Sequence, residues 1–366
     1  MSDTDTRVTA FGIAATFIGT IIGAGFASGN EVLQYFVAIG PMGAMSIIVA
    51  TALFFLFGLV SLQLGNVLKT DEYGVAINPT TNPFPRIYCD VMITVTLFGT
   101  FIIMVAGAGG LVNKLFGVPS IVGSIGVGVL VVLNLLWGID GLVKAQEFMV
   151  PILIVGAILV GIWFVINPLP GGSTGNDEVI SSGLLQHWFI NGILYVAFNF
   201  QLAIAVLVPL GNHARTPKSI MTGILVGAIG LGAGALVVYG AMSLNAAVVG
   251  QEAYPMVELA GNIHPAMRYV YSVLLFFGLY STAISCFFGT VSRLRAIPQI
   301  NNQNHVVVMI IVSVIGVLLS QFGFSDLVGQ VYPVLGYGGL LVMVFMLWVA
   351  WTNLWGPNKK QVSTVS

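Results

Sequence analysis

Gly19-Thr20-Ile21-Ile22-Gly23-Ala24-Gly25-Phe26-Ala27-Ser28-Gly29-Asn30-Glu31 lies inside an apolar run that extends from about Thr9 to Gly40. At about 1.5 Å per residue such a run is long enough to cross a bilayer. Gly19, Gly23, Gly25 and Gly29 interrupt it near the middle. Glycine is a poor helix former, so this density predicts a helix that breaks partway across. A break at that depth strands N–H and C=O groups that hydrocarbon cannot satisfy, and something polar must meet them. The competing reading is close helix packing, which places small residues at every fourth position on one face. Here Gly23, Ala24, Gly25, Ala27, Ser28 and Gly29 strip bulk from every face, and Asn30 and Glu31 follow, which packing does not need.

Composition places the rest of the chain in the same medium. Hydrophobic residues make up 57% and charged residues 7% of the 366, and the mean hydropathy is +0.99. Soluble domains carry about a quarter charged residues, so the chain reads as an all-α integral membrane protein. Cys89 and Cys286 both sit in apolar surroundings and imply neither a disulfide nor a thiolate metal site. His187, His213, His264 and His305 fall at expected segment ends or in loops, and no His, Cys or paired-carboxylate cluster lies at mid-membrane depth. An enzyme is therefore not expected. The near-zero net charge speaks against a nucleic-acid partner, and the start of the chain lacks the basic region of a cleavable signal.

Hydropathy gives ten candidate spans, at about 9–38, 41–66, 87–112, 119–139, 146–167, 187–210, 217–243, 267–292, 305–322 and 326–354. With a cytoplasmic amino terminus, ten of the twelve basic residues fall inside: Arg7, Lys69, Arg86, Lys144, Arg215, Lys218, Arg293, Arg295, Lys359 and Lys360. Only Lys114 and Arg268 fall outside, which supports an even number of spans with both termini in the cytoplasm. The loop at 168–186 divides the chain into a first five-helix repeat at 9–167 and a second at 187–354, flanked by tails at 1–8 and 355–366. Because five is odd, the second set enters from the opposite face, the arithmetic of an inverted repeat. The halves share no convincing residue-level identity, so the repeat rests on topology.

Span six then mirrors span one, and Asn199 and Gln201 put two amides near its centre. Such amides either bond across helices or line a cavity. Span seven, with six glycines between Gly223 and Gly240, reads as a close-packing helix. Between spans seven and eight, Gln251 to Met267 predicts a short amphipathic outer helix, either a lid or a static plug. In span eight, Ser281 and Thr282 follow Gly278 within an apolar helix. They either bond back to carbonyls of their own helix or serve as half of a hard-cation site. Glu31 is the one carboxylate well inside span one, and it reads either as a gate or proton site or as a charge that neutralises Arg268 or caps the break. Asp90, Asp140 and Glu147, near expected cytoplasmic ends, read as solvated or paired structural charges.

The broken-helix stretch and the Gly-x-x-Ser-Thr of span eight resemble the first and eighth helices of the amino acid-polyamine-organocation superfamily. More closely, Gly-Thr-x-Ile-Gly-Ala-Gly-Phe-Ala-Ser-Gly resembles the YkvI-type bacterial membrane proteins, a branch of it. The resemblance implies a LeuT-like fold of ten transmembrane helices in a 5+5 inverted repeat, with discontinuous helices 1 and 6, in the bacterial cytoplasmic membrane. It implies a Na⁺ site formed by carbonyls of Gly19, Ile22 and Gly278 with hydroxyls of Ser281 and Thr282. It also implies a substrate site along Gly23, Ala24, Gly25 and Phe26 and near Phe198, Asn199 and Gln201. Sodium-independent relatives substitute a lysine from the fifth helix. No lysine lies between Gln146 and Ile166, which favours the ion.

The expectation is a Na⁺-coupled symporter of a small organic solute, amino acid-like or an amine, working by alternating access. It needs the lipid bilayer and a small-molecule substrate, with no organic cofactor and no evident obligatory protein partner. The alternatives are proton coupling through Glu31 and a solute sensor of the same fold.

Overall fold

The structure is a computed structural model that describes residues 8–77, 83–137, 140–171, 179, 182–295 and 304–356, with backbone only at 137 and 140–150. Most of the expected terminal tails and loop residues Asp177 and Glu178 lie outside the described residues, as do the side chains of Asp140, Lys144 and Glu147. The glycine-rich stretch folds as three short helices: α1 (Ala10–Ile21), α2 (Ala24–Ser28) and α3 (Asn30–Tyr35). A 3-10 segment, Val37–Met42, leads from α3 into α4 (Gly43–Leu68), α5 (Tyr73–Ile77), α6 (Pro83–Phe116), α7 (Ser120–Trp137) and α8 (Asp140–Ile166). The second half contains α9 (Trp188–Asn212), α10 (Pro217–Ser243), α11 (Ala246–Val249), α12 (Pro255–Ile263), α13 (Pro265–Arg295), α14 (His305–Leu319) and α15 (Phe324–Ala350). Among the described residues, seven helices are long and apolar enough to cross a membrane, and three shorter apolar helices stand at the places of expected spans one, four and five.

Helix packing follows the inverted repeat. α1 packs on α10 as α4 packs on α9, and α8 packs on α10 and α13 as α15 packs on α4 and α6. These pairs exchange when each span is replaced by the one five places along. Two groups result. Spans one, seven, two and six pack as a ring of successive neighbours, spans three, four, eight and nine pack mutually, and α8 and α15 touch both groups.

Small residues set the closest approaches. A Cβ on Gly65 of α4 or Gly211 of α9 would stand 1.9 or 2.0 Å from a backbone carbonyl oxygen of the other helix, so these two backbones lie in direct contact. Gly223 admits the α1 backbone at the Ala10 carbonyl, and Gly227 admits the Phe17 ring and the Ala14 backbone, which accounts for two of the glycines of span seven.

One expectation is corrected. Helix 6 of the LeuT-like plan was expected to be discontinuous, yet α9 runs unbroken from Trp188 to Asn212. Its interior lacks the glycine density of the first span, and its amides reinforce the helix instead of opening it. Asn199 Nδ2 donates to the Tyr195 carbonyl at 2.9 Å, and Gln201 Nε2 to that of Ala197 at 3.2 Å.

Candidate functional site

The first span is open where the glycines fall. Ile22 and Gly23 are both extended, and Gly23 donates its N–H to the Ile21 carbonyl rather than to that of Gly19. The carbonyls of Gly19, Thr20 and Ile22 are left without a hydrogen-bond donor among the described residues. In an apolar surround an unmet carbonyl costs on the order of several kcal/mol, so a water, cation or ligand polar group is required there. A second interruption is conformational: Gly29, at φ +85°, takes the left-handed region that closes α2 and opens α3. A Cβ there would also stand 2.9 Å from Met256 of α12.

A cavity of about 640 Å³ surrounds the break. All five residues of the expected ion site line it: Gly19, Ile22, Gly278, Ser281 and Thr282. The two elements meet closely, since a Cβ on Gly278 would stand 3.5 Å from that of Ala24, and one on Gly23 would stand 3.9 Å from Thr282 Oγ1. Ser281 donates its hydroxyl hydrogen to the Gly278 carbonyl at 3.0 Å, the back-bonding commonly found in membrane helices. The Thr282 hydroxyl makes no hydrogen bond among the described residues.

Of the expected substrate residues, Gly23, Ala24, Gly25, Phe198 and Asn199 line this cavity. Phe26 instead lines a smaller apolar pocket on the other side of the break, with Phe36 and Phe54. Gln201 is turned toward neighbouring helices. Its Oε1 accepts from Thr96 Oγ1 of α6 at 3.0 Å, and its Nε2 donates to the Leu335 carbonyl of α15 at 2.8 Å.

Glu31 is buried and also lines the cavity. Its carboxyl lies directly against Gly25, where an added Cβ would stand 1.9 Å from Oε1, so the missing side chain at Gly25 is what admits the acid. Tyr195 Oη donates to Glu31 Oε2 at 3.4 Å. Arg268, the expected basic partner, donates instead to Glu258 at 2.7 Å, which removes the neutralising role read from the sequence.

Sequence reasoning missed two wall residues, Thr100 of α6 and Tyr332 of α15. Thr100 follows Gly99 at mid-span and Tyr332 precedes Pro333, and an inventory of polar side chains at mid-span would have flagged both.

Beyond the break the chain is pinned by polar bonds. Tyr271 of α13 donates to the Ala27 carbonyl at 2.6 Å, Asn30 donates to the Ala253 carbonyl at 3.0 Å and to Ser325 Oγ at 3.1 Å, and Asn191 donates to the Tyr35 carbonyl at 3.0 Å. Above it, α12 buries Met256, Val257 and Leu259. Lys114 pairs with Glu252 at 2.5 Å and Glu258 at 3.1 Å, and Tyr254 donates to the Gly107 carbonyl at 2.7 Å. The cavity wall continues the other way, through Gly19, Leu202, Val206, Ser285 and Phe288. Those residues lie toward the face where Val8 pairs with the α9–α10 turn and Asp90 meets Arg293 at 3.2 Å. Polar contacts thus gather on the α12 side of the break, and the cavity lining continues toward the opposite face.

With this geometry in view, the chain can be set beside known proteins. It is homologous to two Bacillus subtilis proteins, the uncharacterized membrane protein YkvI and the uncharacterized protein YyaD. Each is 24% identical over 90% of this chain, and the match covers 92% and 94% of their respective lengths. No protein-family model matches the sequence. Among solved structures, the fold is shared with Mhp1, a nucleobase-cation-symport-1 family transporter in a closed conformation with bromovinylhydantoin bound, at a TM-score of 0.62 and 14% identity over 93% of this chain and 78% of that one. A Na⁺-coupled sialic acid symporter gives 0.62 at 13% identity, covering 94% and 79%. MhsT in complex with L-phenylalanine gives 0.62 at 13%, covering 94% and 89%. The fold is LeuT-like, and these neighbours are transporters rather than enzymes.

Proposed function

We propose that the chain is a secondary active transporter that couples downhill Na⁺ movement to uptake of a small organic solute by alternating access. The observation that carries this reading is the meeting of two oxygen sets in one cavity: unbonded carbonyls of Gly19 and Ile22 at the α1 break, and the hydroxyls of Ser281 and Thr282 on α13. Neutral oxygens of this kind suit a small hard monovalent cation, and no lysine lies between Gln146 and Ile166 of the fifth span. Here Na⁺ is a co-substrate. The solute would occupy the adjoining volume along Gly23 to Gly25, beside Phe198 and Asn199.

Coupling follows from position. α1 belongs to the group formed by spans one, two, six and seven, whereas α13 belongs to the group of spans three, four, eight and nine. An ion held between them stabilises the state in which the two groups are in contact, and a ligand shifts an equilibrium by its differential affinity for the two states. We assign the two repeats to 9–167 and 187–354, and both termini to the cytoplasmic side of a bacterial cytoplasmic membrane. The basic residues divide ten to two in favour of that orientation.

The test is Thr282→Ala in proteoliposomes. Loss of one hydroxyl ligand is expected to weaken solute uptake and its Na⁺ dependence together, on the order of tenfold in apparent Na⁺ affinity. Uptake that keeps its Na⁺ dependence in this variant overturns the ion site, and binding without counterflow in the unaltered protein overturns transport in favour of a solute sensor.

A further inference from the structure

The cavity contains an electrostatic asymmetry that the ion site does not use. Its described lining has one acid, Glu31, and no lysine, arginine or histidine. Glu31 is 5% exposed, and its one side-chain hydrogen-bond partner among the described residues is the Tyr195 hydroxyl at a long 3.4 Å. A buried carboxylate with so little compensation is costly to keep, and the site gains most from whatever brings it a positive charge. Nearby basic groups are committed elsewhere, Lys114 to Glu252 and Glu258, and Arg268 to Glu258. Among the described residues no basic group answers Glu31, and a cationic ligand would supply the missing charge.

Two further observations say what carries it. Phe198 and Tyr332, both in the lining and each 1% exposed, stack with ring centroids 3.9 Å apart and planes inclined by 25°, so each covers a face of the other, and with Leu97, Met104 and Leu202 they make this part of the wall apolar. An apolar wall of this kind receives the body of a solute. Thr100, also in the lining, is 1% exposed, and its hydroxyl has no partner among the described residues although such a buried group ordinarily has one. A solute carboxylate, by contrast, would meet no basic side chain among the described lining residues and would face Glu31 as a like charge.

We propose that the transported solute is an organic monocation, an amine on an apolar body, and that Glu31 is its counter-ion. The ammonium sits beside Glu31, and the body lies against the apolar wall that Phe198 and Tyr332 share. This assignment rests on the transporter reading and names the chemical class of its solute. It differs from a proton role for Glu31, because recognition then depends on the charge of the solute.

The experiment measures binding to the purified full-length protein with probes that share a ring and differ in charge: phenethylamine, 2-phenylethanol and L-phenylalanine, with a graded series of alkylamines and their alcohol isosteres. The amines are expected to bind on the order of tenfold or more tightly than the matched alcohols, and Glu31→Gln is expected to abolish that preference. Thermal stabilisation by Na⁺ should survive in the same variant. Equal binding of amine and alcohol, tighter binding of the zwitterion, failure of every amine to bind, or an amine preference that persists in Glu31→Gln overturns the counter-ion. The unaltered protein already decides the first three, should the variant fail to fold. Loss of Na⁺ stabilisation in Thr282→Ala with the amine preference intact supports the counter-ion. An amine preference without any Na⁺ effect in the unaltered protein overturns the coupling and leaves the counter-ion standing.

Discussion

The first and sixth spans hold equivalent places in the inverted repeat, and they solve the same problem in opposite ways. α1 stops at Ile21, leaves carbonyls open and resumes as α2, whereas α9 continues for 25 residues. Both carry polar groups near the membrane centre. In the first span those groups are backbone atoms laid bare by glycine. In α9 they are side-chain amides that bond to the carbonyl one turn back, and Gln201 also fastens the helix to α6 and α15. Pseudo-symmetry of topology therefore does not require symmetry of local structure. The break follows glycine, and amide content alone does not produce one.

This contrast is exposed to measurement. The largest effect is expected where α9 lies backbone to backbone with its neighbour: Gly65→Ala sets a methyl group against the Val208 carbonyl, and a loss of about 3 kcal/mol should lower the thermal midpoint in detergent markedly. A negligible shift would show that the α4–α9 contact is not rigid. Next comes Gly25→Ala, where the obstacle is the Glu31 side chain rather than backbone. A smaller loss of about 1–2 kcal/mol is expected, together with loss of solute binding as the carboxyl is displaced. Full retention of binding would mean that the acid has room elsewhere.

Gly19→Ala should act in the opposite direction. Nothing lies within 4 Å of the added methyl, so the last turn of α1 gains about 0.5–1 kcal/mol of helix propensity, read as a raised midpoint. A fall would reveal a contact made in another state of the cycle. The smallest change belongs to Asn199→Leu, which removes one bond within a helix that is already continuous, for about 0.6 kcal/mol or less. A cooperative loss of helicity by circular dichroism in that variant would show that amides, and not glycine scarcity, keep α9 whole.

The same comparison marks how far the sequence could be read. The break near Gly23 was legible because glycine acts through its own backbone, a local property. The approach of Gly278 to Ala24 was legible through the family resemblance, since nothing local tells two distant helices to meet. The intactness of α9 was not legible, because Asn199 reads identically whether it bonds its own helix or a ligand. The direction of Gln201 likewise depends on Thr96 and Leu335, residues far away in the chain. Thr100 escaped notice for the converse reason: a single mid-span hydroxyl looks ordinary until its surroundings prove to lack a partner for it.

One small feature ties the start of the chain to these events. Val8, just ahead of α1, donates its N–H to the His213 carbonyl at 2.9 Å and accepts from the Arg215 N–H at 3.0 Å, a two-bond clasp onto the turn joining α9 and α10. A helix cut in its middle has a free stub, and this clasp hitches that stub to the far end of its symmetry mate. If α1 swings, it drags the α9–α10 turn along, so the inner ends of both central helices travel as one lever.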